Sequence, residues 1–215
     1  MTLGRDSGYE KIGKRQIPKN IFVNMKDTEI EIQVKIENIN NLLDFLKENG
    51  VFMFENRQLD EYFVPIHRDF TKVRPLKEWL RLRDSNGKYS INYKNWYFDE
   101  NGKSYKCDEC ESRVENIDSL RKIFQVLNFR SIAIVEKLRK VWNYKDYEIA
   151  VDSVKDLGDF VEIEFKGDDE RRDPKEITKE MINFLKGIGC GKIQRNYVGY
   201  PFQLLFPEEV ELEEN

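Results

Sequence analysis

The sequence predicts an α+β fold: a closed antiparallel β-barrel, a tunnel with a charged interior and helices packed on its outside. Three observations carry that prediction. Polar and apolar residues alternate through most of the chain, as in strands with one face buried. Only three segments carry the 3.6-residue period of an amphipathic helix. The polar faces are also charged, and segregated by sign from strand to strand. At 215 residues and 25.8 kDa the chain suits one domain with extensions. We read residues 1–24 as a basic N-terminal extension, 25–206 as the tunnel domain and 207–215 as an acidic, solvated tail.

The elements follow in order. Residues 1–24 hold Arg5, Lys11, Lys14, Arg15 and Lys19 with no regular period. Glu29, Glu31, Gln33 and Lys35 then alternate with Ile30, Ile32, Val34 and Ile36, a strand with one wet and one greasy face. Ile39, Leu42, Leu43 and Leu46 fall on one helical face, with Gly50 as the stop. Leu80-Arg81-Leu82-Arg83 sets two arginines against two leucines, and Asn92 and Lys94 stand against Ile91 and Tyr93. The residues after Phe98, Asp99 to Lys103, read as a hairpin turn. Ile117, Leu120, Ile123, Phe124 and Leu127 make a second apolar helix face. Glu148, Ala150 and Asp152 alternate with Tyr147, Ile149 and Val151, and Glu162 and Glu164 with Val161, Ile163 and Phe165. After a charged linker over residues 167–173, Asp173 is the N-cap and Pro174 the first residue of a third helix, which ends at Gly187 or Gly189. A Glu-x-Glu strand precedes a helix three times, at Glu29/Glu31, Glu109/Glu111 and Glu162/Glu164, which reads as an architectural repeat.

Composition removes several classes. Charged residues make up 35% of the chain, against about 25% ordinarily. They nearly cancel, with 36 Lys+Arg against 40 Asp+Glu, so the chain is not a basic nucleic-acid binder. No apolar run reaches the roughly 18 residues of a membrane span. No 7–15-residue apolar stretch near the start marks a secretory signal. Three cysteines make no disulfide framework, and a cytoplasmic location is expected.

The segregation of charge is what points to chemistry. Glu29/Glu31, Glu109/Glu111, Glu148/Asp152 and Glu162/Glu164 make acidic strands; Arg81/Arg83, Lys94 and Lys137/Arg139 make basic ones. Like charges two residues apart on a strand repel, and stability alone would mix them. A ligand explains the arrangement better: carboxylate pairs hold hard divalent cations through oxygen, and Lys/Arg pairs clamp phosphoryl oxygens. The barrel is therefore expected to be inverted, apolar face outward under the helices and charged face inward. Its lumen suits a polyanion with Mg²⁺ or Mn²⁺.

These residues, in this order, resemble the CYTH superfamily, the triphosphate tunnel metalloenzymes that include class IV adenylate cyclases and thiamine triphosphatases. Glu29-Ile30-Glu31-Ile32-Gln33 sits where the family has its opening E-x-E-x-K strand. Tyr62-Phe63 with Arg68-Asp69-Phe70 resembles a segment of the class IV cyclase branch. Leu80-Arg81-Leu82-Arg83 is similar to the family's arginine strand, Tyr93-Lys94 to its lysine strand and Glu109-Cys110-Glu111 to its middle acidic strand. Lys137-Leu138-Arg139 is similar to its K-x-R strand, and Asp152 with residues 157–164 to its closing signature. The resemblance covers residues 27–205. One departure stands out: the lysine of the opening motif is Gln33 here. Lys35, two residues on and on the same face, is the compensating cation the strand offers.

The resemblance implies that Arg81, Arg83, Lys94, Lys137 and Arg139, with Lys35, bind a small-molecule triphosphate such as ATP or a polyphosphate. It implies Glu29, Glu31, Glu162 and Glu164 as metal ligands, with Glu109, Glu111 and Asp152 as further candidates for Mg²⁺ or Mn²⁺. The nucleophile is then activated by metal; no side chain is singled out as a base, Lys35 being the one candidate offered. The reaction is cyclisation of ATP to cyclic AMP and pyrophosphate in a class IV adenylate cyclase. Hydrolysis of inorganic or organic triphosphate is the near alternative, and a non-catalytic nucleotide-binding module the third. A homodimer is allowed; nucleic acid and membrane are not expected partners. Other motifs are set aside. Cys107-x-x-Cys110 has zinc spacing but no second pair, His67 is the single histidine, and Trp79, Trp96 and Trp142 read as packing.

Overall fold

The computed structural model describes residues 28–167 and 172–215. The expected extension over residues 1–24 and most of the linker lie outside them. The described residues form one antiparallel sheet of eleven strands and four α-helices. The strands are β1 (Thr28–Glu29), β2 (Glu31–Ile36), β3 (Val51–Pro65), β4 (Glu78–Ser85), β5 (Lys88–Phe98), β6 (Ser104–Val114), β7 (Phe129–Tyr144), β8 (Tyr147–Val154), β9 (Gly158–Phe165), β10 (Ile193–Asn196) and β11 (Glu213–Glu214). The helices are α1 (Ile39–Asn49), α2 (Ile117–Val126), α3 (Pro174–Ile188) and α4 (Gly199–Leu205).

The strand order is β1-β6-β5-β4-β3-β7-β8-β9-β2-β10-β11. This order has two ends, so the α+β class holds while the closed ring of ladders expected from the alternation is not seen. The two ends are nevertheless tied. β1 and β2 are consecutive stretches of one strand that changes partner at Ile30: Glu29 pairs with Cys107 on β6, and Glu31 pairs with Glu164 on β9. One short segment therefore touches both flanks of the seven strands between, and the sheet has to curl. Bulges where β3 meets β7, and again in the β5–β6 ladder, add local bend.

The apolar faces point outward, as expected. Ile32 and Val34 on β2, Ile149 on β8 and Val161 and Ile163 on β9 pack beneath Leu42 and Leu46 of α1 and Ile177, Met181 and Leu185 of α3. Phe124 of α2 covers Phe63 and Leu82 on β3 and β4. The α3 boundaries follow their sequence signals. Asp173 accepts a hydrogen bond from the Lys175 amide at 2.9 Å, Pro174 opens the helix, and Gly189 closes it at φ 81°, a left-handed conformation that suits glycine.

Two parts differ from expectation. Residues 207–215 are not a free solvated tail. Arg74 grips Glu209 with Nε and Nη2 at 2.8 and 3.0 Å, Lys192 meets Glu214 at 2.8 Å, and Glu213–Glu214 pairs with β10. Its glutamates meet an arginine and a lysine in the loops that lead into β4 and β10. The second difference is α4, which carries no helical period in the sequence. It packs Tyr200 and Phe202 with Phe160, Tyr62 and Trp79, and it presents Tyr200 to the enclosed side of the sheet.

Candidate functional site

Inside the curl lies a cavity of about 260 Å³ whose lining comes from nearly every strand. Its chemistry follows from the ladder register. Residues directly opposite on neighbouring strands share a face, and the register places charged residues opposite one another on the inner face.

One pole is basic. Asp60 pairs across the ladder with Arg83, whose Nε and Nη2 both reach its carboxylate at 2.6 Å; Arg81 Nη1 lies 3.3 Å from the same group. Asp152 pairs across the ladder with Arg139 in the same two-pronged way, at 2.7 and 2.6 Å. It also accepts from Lys137 Nζ and Tyr200 Oη, each at 2.9 Å. Both aspartates are buried, and each carries the cations above it. Burial opposes ionisation of Asp60, and the charges of Arg83 and Arg81 outweigh it, holding the carboxyl well below the usual range. Asp152 is lowered in the same way by Arg139 and Lys137. Glu162 accepts from Arg139 and, at 2.7 Å, from Gln33 Nε2, while the Gln33 carbonyl accepts from Asn196. Gln33 thus keeps an inward place but delivers an amide where a charge was expected.

The other pole is acidic. Lys94 Nζ lies 2.9 Å from Glu29, 3.3 Å from Glu31 and 2.7 Å from Glu109. Glu164, opposite both Glu31 and Glu148, is held by Lys166 at 2.6 Å. Cys107 Sγ lies 3.7 Å from Glu29. The carboxylates outnumber their cations. As a consequence burial pushes the Glu29 carboxyl up to about 9 despite Lys94, with a hydrogen bond to Glu109 adding to the rise. Glu109, where that hydrogen bond and Lys94 outweigh burial, falls to about 2. The two carboxylates thus oppose each other's ionisation, a repulsion that a dication between them would relieve. Ligand atoms of Glu29, Glu109 and Cys107 converge within 4.8 Å of one another. The carboxylate oxygens of Glu29 and Glu109, with Glu31 beside them on Lys94, fit an oxygen-seeking divalent ion, whereas the Cys107 thiol, pushed up by burial, is no ligand for one.

The cavity brings together all but two of the residues singled out in the sequence: Arg81, Arg83, Lys94, Lys137, Arg139, Glu29, Glu31, Glu109, Glu111, Glu162 and Glu164 all line it. Asp152 lies beneath the lining, 0% exposed, as the counter-ion of Lys137 and Arg139 rather than beside the other acids. Lys35 is not in the lining either. Its Nζ donates to the Leu157 carbonyl at 2.9 Å and lies 4.6 Å over the Phe160 ring, so it does not stand in for the lysine that Gln33 replaces. Cys107 and Cys110, three apart on one strand, point to opposite faces, one buried and one exposed. Sequence reasoning missed Asp60, Arg195 and Tyr200, and it placed Asn92 on the polar face beside Lys94 without giving it a role. Asp60 had a signal, since Gln58, Asp60 and Tyr62 alternate with Leu59 and Phe63; Arg195 and Tyr200 depend on contacts between distant segments. Trp79 and Trp96 reach the lining, whereas Trp142 is core.

Lys137 carries a pH prediction. Burial and the adjacent Arg139 charge pull its ammonium down to about 8 in spite of Asp152. The folded value lies below the ordinary 10.5, so the unfolded chain binds this proton more tightly. Its contribution to stability therefore rises with pH from about 8 upward and is lost as pH falls through that value. Anion binding moves the other way. Calorimetric affinity for inorganic triphosphate should drop between pH 7 and 9 by up to about tenfold more than in Lys137→Met. Equal slopes in the two proteins would assign the titration elsewhere.

Comparison with known proteins adds family evidence to this geometry. The CYTH domain family matches residues 25–197. A protein of Methanocaldococcus jannaschii named "Putative adenylate cyclase MJ0240" is 33% identical over 174 residues, 79% of this chain and 96% of the relative. Among solved structures, the PH1819 protein of Pyrococcus horikoshii is 27% identical with a TM-score of 0.68, covering 84% of this chain and 99% of its own. A Hippeastrum protein, HpAC1, described as a "putative adenylyl cyclase" with a dominant triphosphatase activity, shares the fold at 20% identity and a TM-score of 0.56, over 84% and 95% of the two chains.

Proposed function

The chain belongs to the CYTH family, and on that premise we propose that it catalyses divalent-cation-dependent transfer at a triphosphate bound in the charged cavity, with cyclisation of ATP as the first reading. The observation that carries the proposal is the pairing of a basic pole, Arg81, Arg83, Lys137 and Arg139, with a cation-deficient acidic pole in one enclosed space. Phosphoryl and nucleotidyl transfer depend on positioning and charge neutralisation more than on covalent help from the protein. The basic pole supplies both to the non-bridging oxygens. Glu29, Glu31 and Glu109, with Glu164 beside them, would hold the metal, which supplies Lewis-acid polarisation and a more acidic nucleophile. In the cyclase reaction the ribose 3′-oxygen forms the new bond to the α-phosphorus, its proton leaves to solvent, and the bond to the β-phosphate oxygen breaks with its electrons. Pyrophosphate departs.

Hydrolysis is a second reading with its own support. About 260 Å³ is below the roughly 300–1,000 Å³ usual for pockets that take a drug-sized ligand. A triphosphate chain suits that space, and a nucleoside would remain outside it. Water attacking the terminal phosphorus requires nothing further.

The deciding experiment incubates purified protein with ATP or inorganic triphosphate and Mg²⁺ or Mn²⁺ and resolves every product. Cyclic AMP with pyrophosphate, abolished in a Glu29→Gln, Glu31→Gln double variant, supports cyclisation; phosphate release without cyclic nucleotide supports the triphosphatase. No turnover with either ion would refute both and leave a binding module. Gln33→Lys should lower the KM for triphosphate by roughly tenfold, because a lysine paired with Glu162 frees Arg139 for the substrate. An unchanged KM would show that a charge at this position does not release Arg139, which Asp152 then keeps.

A further inference from the structure

Of the arginines that line the cavity, Arg195 on β10 is the one that meets no carboxylate. Arg81 and Arg83 share Asp60, and Arg139 has Asp152 and Glu162. Arg195 is only 8% exposed and makes no ion pair among the described residues. It lies opposite Val34 on the ladder with β2, and Val34 belongs to the apolar face packed under α3. From there the guanidinium reaches the first residue of β6, Nη2 donating to the Ser104 carbonyl at 3.2 Å. It thus fills the seam between β10 and β6, with the cavity on one side and a groove of about 320 Å³ beneath α3 on the other. Its Cζ rests 4.5 Å from the Tyr197 ring, and its Nε is buried with no hydrogen-bond partner. Burial pulls the guanidinium below its ordinary value, and Tyr197 and Glu213 offset only part of this. A buried charge is ordinarily paired; this one lacks its anion.

The groove adds more charge of the same sign. Lys175, Lys179 and Lys186 line it along one face of α3, with Thr178 and Asn183 between them. The acids around them are engaged elsewhere. Glu213 is held by Lys103 and Tyr197, Glu214 by Lys192 at 2.8 Å, and Glu180 by Arg172 at 2.5 Å. Asp99 approaches Lys175 only to 3.8 Å, and Glu176 stays outside the lining. Among the described residues Lys179 and Lys186 make no ion pair. We propose that this groove is a second phosphoanion site, apart from the triphosphate cavity, in which Lys175, Lys179 and Arg195 hold inorganic phosphate or pyrophosphate. Charge-assisted donors from two ammonium groups and a guanidinium suit phosphoryl oxygens. The ligand is small because Arg195 is recessed beneath α3, where a flat membrane surface does not reach. Pyrophosphate is what the proposed cyclisation releases and phosphate what hydrolysis releases, so on that reading the groove lies one arginine from their source. Binding itself needs neither reaction.

Acetylation footprinting of the full chain, without metal or nucleotide, tests the site. The reaction rate of each lysine is read by mass spectrometry in inorganic phosphate or pyrophosphate up to about 10 mM, against chloride at equal ionic strength. The expected result is a rate about threefold or more slower at Lys175 and Lys179, with no change at Lys122 on α2. Arg195→Gln should raise the anion concentration needed for that protection about tenfold, the loss of one charged contact. If that variant does not fold, Lys179→Ala, at an exposed position, should do the same to the protection of Lys175. Equal rates with and without both anions overturn the proposal, and so does protection undiminished in every folded variant. Protection confined to Lys94 and Lys137 assigns the anions to the cavity alone; it overturns the second site and leaves the proposed reaction standing. A protein that binds in the groove yet turns nothing over would refute the reaction and not the site.

Discussion

Asp152→Ala is expected to cost about 3–5 kcal/mol of folding free energy, read as a shift in the urea midpoint or as a drop of roughly 10–15 °C in melting temperature. Asp152 is 0% exposed and accepts from Lys137, Arg139 and Tyr200. Removing its carboxylate leaves two buried cations facing each other, with Glu162 in contact with Arg139 as the remaining counter-ion. Added inorganic triphosphate should restore part of the loss, because a polyanion supplies the missing charge and binds the folded state alone. A loss below about 1 kcal/mol would mean that the cations rehydrate through the cavity mouth and that Asp152 is not their anchor. The same carboxylates make the fold acid-sensitive. Asp60, Asp152 and Glu162 lie below their ordinary values of 3.8, 3.8 and 4.5. Their stabilisation is complete above those values and is lost as pH falls through the lower folded ones.

Arg81→Ala is expected to reduce kcat/KM for the triphosphate substrate by about 10²–10³ while changing stability less than Asp152→Ala does. The distinction rests on how the arginines are occupied. Arg83 spends both prongs on Asp60, whereas Arg81 reaches that carboxylate only at 3.3 Å and its Nε, though buried, has no hydrogen-bond partner. Of the two arginines on β4, Arg81 is the one with a donor to spare, and a phosphoryl oxygen is an acceptor that fits it. Steady-state kinetics beside urea unfolding separates the two effects. Activity that survives Arg81→Ala within threefold, in a protein of normal stability, would move the phosphate contact to Arg139 or Lys137.

How far the sequence could be read depended on the range of the interaction. The helices beginning at Ile39, Ile117 and Pro174 were legible, because period, caps and stop residues are local. The Glu-x-Glu and Arg-x-Arg faces were legible too, since side chains two apart in a strand share a face whatever that face touches. β3 and β7 were harder. These are strands of 15 and 16 residues whose bulges and apolar run at residues 51–54 break the alternation, so only fragments such as Tyr62-Phe63 and Lys137-Leu138-Arg139 were recognised. α4 has no period to read and depends on packing against Phe160 and Trp79.

Sequence alone determined which side chains share a strand face and that their charges segregate by sign from strand to strand, because that information is carried by spacing along one strand. Only the tertiary structure decided which charge meets which. Register placed Asp152 beneath Arg139 instead of among the acids, brought Asp60 under Arg83, turned Lys35 onto Leu157 and bound Gln33 to Glu162. Those pairings join residues far apart in the chain, and ladder geometry and the cost of burying an unpaired charge select them.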